Sequence, residues 1–340
     1  YERGCGAEAE PFLRRAADAG DTDAVLLAVL LEKAGRTEEA EAFYRQAADA
    51  GHTGAMVNLG NLLRNTGRMG EAEDLYRQAA DAGAMDATLN LGHLLYHVGR
   101  MDEAEAFYRQ AAGAGDLEAM NNLGVLSHNA GRLEEAEVYF RRTAHAGHAR
   151  AMVNLGNMLL RQFRVEEAET FYHQAADAGT TEAMFNLGVL SRQAGRLEES
   201  ESFYRRAAEG GHSGAMFNLG NLLYTAGRMD EAEPFYRQAA DTGHAAAMHG
   251  LGNLLHVTHR ADEAKLFYRQ AADGGQTGAL FNLGFILHKA GRSGEAEPLL
   301  RRAAKKGHAG AILCLGTLLV DQGRAEEAKP FYRRVAQTDA

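Results

Sequence analysis

The chain has 340 residues, a formal net charge of −10, two cysteines and no tryptophan. Its charges are interspersed, without the basic stripe that nucleic acid requires, so that partner class is excluded. No stretch approaches the roughly 18 uninterrupted apolar residues of a membrane span, and no signal-peptide pattern opens the sequence.

One sentence is written repeatedly along the chain. Asn-Leu-Gly begins at Asn58, Asn90, Asn122, Asn154, Asn186, Asn218 and Asn282, in steps of 32 residues or a multiple of 32. An arginine holds one slot in ten copies: Arg36, Arg68, Arg100, Arg132, Arg164, Arg196, Arg228, Arg260, Arg292 and Arg324. A fixed period of this size implies stacked helical units, each packing on its neighbours, rather than one closed core.

In chain order, the pattern predicts a lone helix over residues 7–19 and then ten A/B helix hairpins over 22–338, a single repeat domain spanning 1–340. The second copy serves as the type. Met56, Leu59, Gly60 and Leu63 recur at helical spacing and mark helix A. Asn65-Thr66-Gly67-Arg68 ends it, with Gly67 as the left-handed residue. Met69-Gly70-Glu71 opens helix B, whose apolar stripe is Ala72, Tyr76 and Ala79, and Gly83 closes it. Pro11, Pro234, Pro298 and Pro330 share one slot near the start of helix B, and proline belongs in a first turn. This places the start of helix B just before that slot. The pairs Glu41/Arg45, Glu73/Arg77, Glu105/Arg109 and Glu233/Arg237 are i,i+4 and read as an ordinary solvated outer face.

Cys5 and Cys314 lie in the first and last copies, so no structural disulfide is expected, and a reducing, cytoplasmic setting fits. The chain begins at Tyr1 without a methionine. Tyr332 and Val335 sit in a stripe that should meet a further helix. Both ends are expected to be capped by flanking sequence of a longer protein, the alternative being self-association through uncapped ends.

The run Met56, Leu59, Gly60, Leu63, Ala72, Tyr76, Ala79 resembles the tetratricopeptide repeat. The period is shorter than that family's 34 residues. The inter-unit segment Ala47 to Met56 resembles the Sel-one-like subclass. The resemblance implies an all-α fold, a right-handed α-solenoid of antiparallel helix hairpins, with A helices lining a concave groove. It implies a scaffold or adaptor for a protein or peptide, not an enzyme. The alternative is a sensor arm of a larger signal-transducing enzyme, such as an ATPase, whose catalytic domain lies outside this chain.

No phosphate-binding loop, nucleophile elbow or zinc-protease motif is present, so neither catalytic residues nor cofactors are expected. His52, His148, His212, His244 and His308 share a joint slot and are spaced too far apart to converge. His93 and His97 form an i,i+4 pair without a third ligand, so no metal site is expected. Helix-A slots between core residues face the groove in the family. Mapped onto this chain, the first such row is Asn58, Asn90, Asn122, Asn154, Asn186, Asn218 and Asn282. An amide is a mediocre mid-helix choice with both donor and acceptor capacity. It suits clamping of a partner's backbone or, equally, fixing the joint to the neighbouring hairpin. The next rows vary, and contribute Arg64, Tyr96, Phe185, Arg192, Phe217, Tyr224 and Phe281 as groove candidates. Phenylalanines there need covering by a partner or by the array itself. The expected centre is the sixth and seventh copies, at Phe185, Arg192, Phe217 and Tyr224.

Overall fold

A computed structural model describes residues 23–336. The predicted lone helix over 7–19, with Cys5 and Pro11, lies outside the described residues. Twenty helices follow one another among the described residues, with no strand. The A helices are α1 (Asp23–Lys33), α3 (Thr53–Asn65), α5 (Met85–His97), α7 (Leu117–Asn129), α9 (Ala149–Arg161), α11 (Thr181–Gln193), α13 (Ser213–Thr225), α15 (Ala245–Val257), α17 (Thr277–Lys289) and α19 (Ala309–Asp321). The B helices are α2 (Thr37–Asp49), α4 (Met69–Asp81), α6 (Met101–Gly113), α8 (Leu133–His145), α10 (Val165–Asp177), α12 (Leu197–Glu209), α14 (Met229–Asp241), α16 (Ala261–Asp273), α18 (Ser293–Lys305) and α20 (Ala325–Ala336). Contacts divide the chain into two compact units, one ending at Phe171 and the next beginning at Tyr172. Within each, an A helix packs on the B helices that precede and follow it. No helix among the described residues is long and apolar enough to cross a membrane.

Each turn is made by the same chemistry. Gly67 takes φ +82°, Gly67 N donates to Arg64 O at 3.0 Å, and Arg68 N donates to Leu63 O at 2.8 Å. This is the Schellman pattern, which satisfies the carbonyls a helix end leaves open. Arg68 then becomes the N-cap of α4. Two copies lack the glycine, and their turns are unchanged: Phe163 has φ 61° and His259 φ 62°. The strain sits in the side chain, because a Cβ in the left-handed region costs roughly 1–2 kcal/mol. Phe163 is 92% exposed and loses no packing on truncation. Phe163→Gly is therefore expected to raise stability by about 1 kcal/mol, less what glycine adds to unfolded-chain entropy. A higher urea midpoint at constant slope would show it, and an unchanged or lower midpoint would refute the strain argument.

The core joins the two helices of a hairpin through glycine and tyrosine. Tyr76 is fully buried, and an added Cβ on Gly60 would stand 2.5 Å from its Cε1. The same pair recurs as Gly92 with Tyr108, where the distance would be 2.7 Å. Absence of a side chain on α3 is what lets the ring lie flat on that helix, and burying such a ring stabilises by about 1.5–3 kcal/mol. The phenol stays tied to water's side of the core: Tyr76 OH donates to Asn61 Oδ1 at 2.7 Å. Burial pushes the Tyr76 phenol up to about 12.

The prolines correct one boundary. Pro234, Pro298 and Pro330 lie inside α14, α18 and α20, each five residues past the helix start, not in the first turn. Each forgoes one backbone hydrogen bond. At Pro234 the carbonyl so released belongs to Asp230, which is exposed and can bond water. Cys314 is half-buried and has no disulfide partner among the described residues, and burial raises its thiol pKa.

Candidate functional site

The A helices present two kinds of surface. Ala55, Leu59, Gly60, Leu62 and Leu63 of α3 are buried, while Val57, Asn58, Asn61 and Arg64 are half-buried along the other side. The predicted rows fall on this second side. Asn58, Asn90, Asn122, Asn154, Asn186, Asn218 and Asn282 are all half-buried, as are Arg64, Tyr96, Phe185, Phe217, Tyr224 and Phe281, while Arg192 is exposed.

Several ladder amides are spent inside the array. Asn154 Nδ2 donates to Asn121 Oδ1 at 2.9 Å, Asn121 Nδ2 reaches Asn122 Oδ1 at 3.5 Å, and Asn122 Nδ2 donates to His93 Nε2 at 2.8 Å. One amide chain thus crosses α9, α7 and α5. In the second unit Asn282 Nδ2 donates to His249 Nε2 at 3.1 Å and to Asn253 Oδ1 at 2.8 Å. Asn218 Nδ2 lies 3.4 Å from Tyr204 OH, and Asn186 bonds Tyr172. Both histidines receive an amide N–H, so Nε2 is the unprotonated nitrogen. Burial lowers the pKa of His93 and of His249, which keeps both rings neutral.

The phenylalanine row is covered by the array in part. Phe185 stacks on His212 with centroids 4.4 Å apart, Phe281 on His308 at 4.6 Å, and Phe217 lies 5.0 Å from His244. Those histidines are N-caps of the next A helix: His212 Nδ1 accepts Ala215 N–H at 3.1 Å and His308 Nδ1 accepts Ala311 N–H at 3.2 Å. An imidazole therefore does the work usual for Ser, Asp or Asn at this position. The cap role was hidden in the sequence because histidine is not a usual N-cap residue, although its shared slot after the turn glycine was visible.

Cavities mark where the face remains open. In the first unit, a cavity of about 390 Å³ is lined by Arg64, His93, Tyr96, Tyr108, Glu118, Asn122 and Arg150. In the second, one of about 350 Å³ is lined by Tyr224, His256, Phe281, Asn282 and Phe285. Of the expected cluster at Phe185, Arg192, Phe217 and Tyr224, Tyr224 lines the second of these two cavities, and the two phenylalanines rest on cap histidines.

The B helices carry a feature that i,i+4 spacing did not disclose. Arg45 bonds Glu41 at 2.8 Å and Glu71 at 3.0 Å, while Arg68 bonds the same two carboxylates at 2.7 Å each. Two arginines and two glutamates close a ring across the joint between α2 and α4. The ring recurs as Glu73, Arg77, Arg100 and Glu103, and in the second unit as Glu233, Arg237, Arg260 and Glu263. Arg77 also lies over the Phe107 ring at 5.6 Å, and Arg205 over Phe235 at 5.5 Å. The outer face is thus a ladder of joints rather than a set of isolated helix pairs. The arginine recurring in every copy signalled it, being present where the i,i+4 glutamate alone needed no such residue.

Hairpins stacked through shared joints, with a repetitive core and a varied A-helix face, define a helical-repeat protein. Sequence models of the tetratricopeptide repeat match residues 25–84, 57–119, 172–213, 208–247 and 217–279 in one form, 117–145 and 148–178 in a second, and 277–302 in a third. The chain belongs to the tetratricopeptide repeat family. Its fold is similar to that of c5321, a protective antigen of uropathogenic Escherichia coli strains with an SLR fold, at TM-score 0.60, 25% identity, and coverage of 94% of this chain and 76% of that one. It is also similar to a Sel1 repeat protein from Oxalobacter formigenes, at TM-score 0.54 and 27% identity, over 64% of this chain and 99% of the other. No curated protein matches the sequence. The Sel-like reading of the joints stands with these two structures beside the family matches.

Proposed function

We propose that this chain is a protein-binding scaffold, and that the A-helix face, not the B-helix face, takes a segment of the partner. The observation that carries this reading is the contrast between the two faces. The B-face slots repeat and are consumed by the joint rings. The A-face slots vary, and they leave aromatic and amide groups around open cavities of about 390 and 350 Å³. Cavities of that size, part apolar and part polar, suit side chains of a docked segment. Tyrosine, arginine and phenylalanine there are residue types that dominate binding energy at interfaces. The scaffold supplies preformed shape and no chemistry of its own.

The test begins with a random peptide library panned on the intact chain. Affinity of a selected peptide is then measured for a Tyr96→Ala/Tyr224→Ala variant and for a Val138→Ala/Leu266→Ala variant, the latter pair being exposed on B helices. Loss of an aromatic anchor costs about 2 kcal/mol or more, so the first variant is expected to bind at least roughly tenfold more weakly, and the second as wild type. Weakening by the B-face pair alone would reverse the assignment.

A further inference from the structure

The cavity of the first unit carries an unbalanced charge. Glu118 is its one carboxylate, and both oxygens are engaged: Oε1 accepts from Arg150 Nη1 at 2.6 Å, and Oε2 lies 3.1 Å from His148 Nε2. Arg64 lines the same cavity and has no ion pair among the described residues. It is half-buried, and Tyr96 and Tyr108 share the lining. The imidazole of His93 is held by Asn122 through its acceptor nitrogen and adds no positive charge of its own. What remains is a guanidinium with its planar fork of donors unspent, in a partly desolvated site. A carboxylate meets that fork bidentately, the strongest pairing open to arginine.

Two further observations narrow the ligand. The chain carries a formal charge of −10, so it repels a polyanion at range, and a single carboxylate among neutral residues suffers least from that field. The cavity is also not isolated. A depression of about 390 Å³ beside Thr53, Val57, Asn58 and Asp86 lies on the same helices α3 and α5, and one of about 150 Å³ beside His128, Asn154 and Arg161 shares Val125 with it. With room on either side, a bound chain continues past the site instead of ending in it.

We propose that the Arg64 cavity receives the side-chain carboxylate of one aspartate or glutamate within an internal segment of the partner protein that carries no further acidic residue. This rests on the reading of the A-helix face as the binding face. Asp86 on one flank and Arg161 on the other give the segment a direction: a basic residue is favoured toward Asp86 and disfavoured toward Arg161.

The experiment displays random peptides as internal insertions, fixed at both ends, and pans them on wild type, Arg64→Gln and Arg64→Glu. Arg64 makes no ion pair among the described residues, so thermal melts of the three should coincide, which confirms that each is folded. Wild type is expected to select one acidic residue at a constant position. Changing that residue to its amide, or using Arg64→Gln, should each weaken binding about tenfold, with no further loss when both are combined, as for one charge-assisted pair. Arg64→Glu should select a basic residue at the same position. Peptides selected without an acidic preference, or bound equally well by Arg64→Gln, would overturn this inference and leave the A-face reading intact. Selection of no peptide at all by wild type would overturn both.

Discussion

Gly60→Val is expected to destabilise the chain by about 3 kcal/mol, because the new side chain must occupy space already held by a buried ring. An ideal Cβ at this position stands 2.5 Å from Tyr76 Cε1, 2.9 Å from Cδ1 and 3.0 Å from Cζ. None of these atoms is the free end of a flexible chain. Tyr76 is fully buried and its hydroxyl is tied to Asn61 at 2.7 Å, so the ring can yield only by moving α4 away from α3. The control lies in the same helix: Gly54 meets nothing within 4 Å of an added Cβ. Gly54→Ala should therefore leave stability unchanged or raise it by up to about 1 kcal/mol through helix propensity. Denaturant titration of both variants decides the matter. Equal effects at the two glycines would mean that propensity, not the ring contact, governs the site. Coupling gives a second check, since the loss in Gly60→Val combined with Tyr76→Ala should fall well short of the sum of the two separate losses.

Lowering the pH is expected to loosen the array in two stages. His93 and His249 have an ordinary pKa of 6.5 that burial lowers in the fold. A depressed histidine binds its proton more readily in the unfolded chain. Its contribution is present above pH 6.5 and is lost as the pH falls through the depressed folded value. The carboxylates follow. Hydrogen bonds from Arg68 and then Arg45 hold Glu71 down to about 2, and those from Arg164 and Arg141 hold Glu167 down to about 2. Glu103, Glu263 and Glu297 are lowered in the same direction, by Arg100, Arg260 and Arg324. A depressed carboxylate stabilises above its unfolded value of 4.5 and loses that contribution as the pH falls toward the folded one. Thermal midpoints should thus be level near neutrality, decline modestly below pH 6.5, and decline steeply between about pH 4.5 and pH 2. Each exposed pair is weak alone, but many joints carry them. High salt should flatten the acid limb by screening the rings. A midpoint independent of pH down to 2 would show that the rings contribute nothing to the joints.

The fold was legible because its causes are local. Gly67 and Gly83 announced their turns by the left-handed backbone they take, φ +82° and +89°, and Ala72, Tyr76 and Ala79 announced the buried stripe of α4. The prolines misled by a turn, because a helix with an exposed carbonyl at Asp230 tolerates proline beyond the position where it fits best. The face was legible as a set of rows and not as a set of partners. The Asn ladder offered two uses, and the sequence could not choose, because the choice depends on what stands one repeat away. At Asn154 and Asn282 a neighbour's amide is within 2.9 and 2.8 Å, so those side chains fix joints. Asn58 instead lines an open depression. The ring on the B face escaped for the same reason. Arg68 and Glu41 are 27 residues apart, a spacing that no single helix defines.

The most direct measurement places a photoreactive phenylalanine analogue in a peptide selected on the intact chain, cross-links it, and maps the attachment by mass spectrometry. The account predicts attachment to A-helix side chains around the two cavities, at Tyr96 or Val125 in the first unit and at Phe281 or Phe285 in the second. Attachment to B-helix residues such as Val138 or Leu266, with the A helices unlabelled, would contradict it.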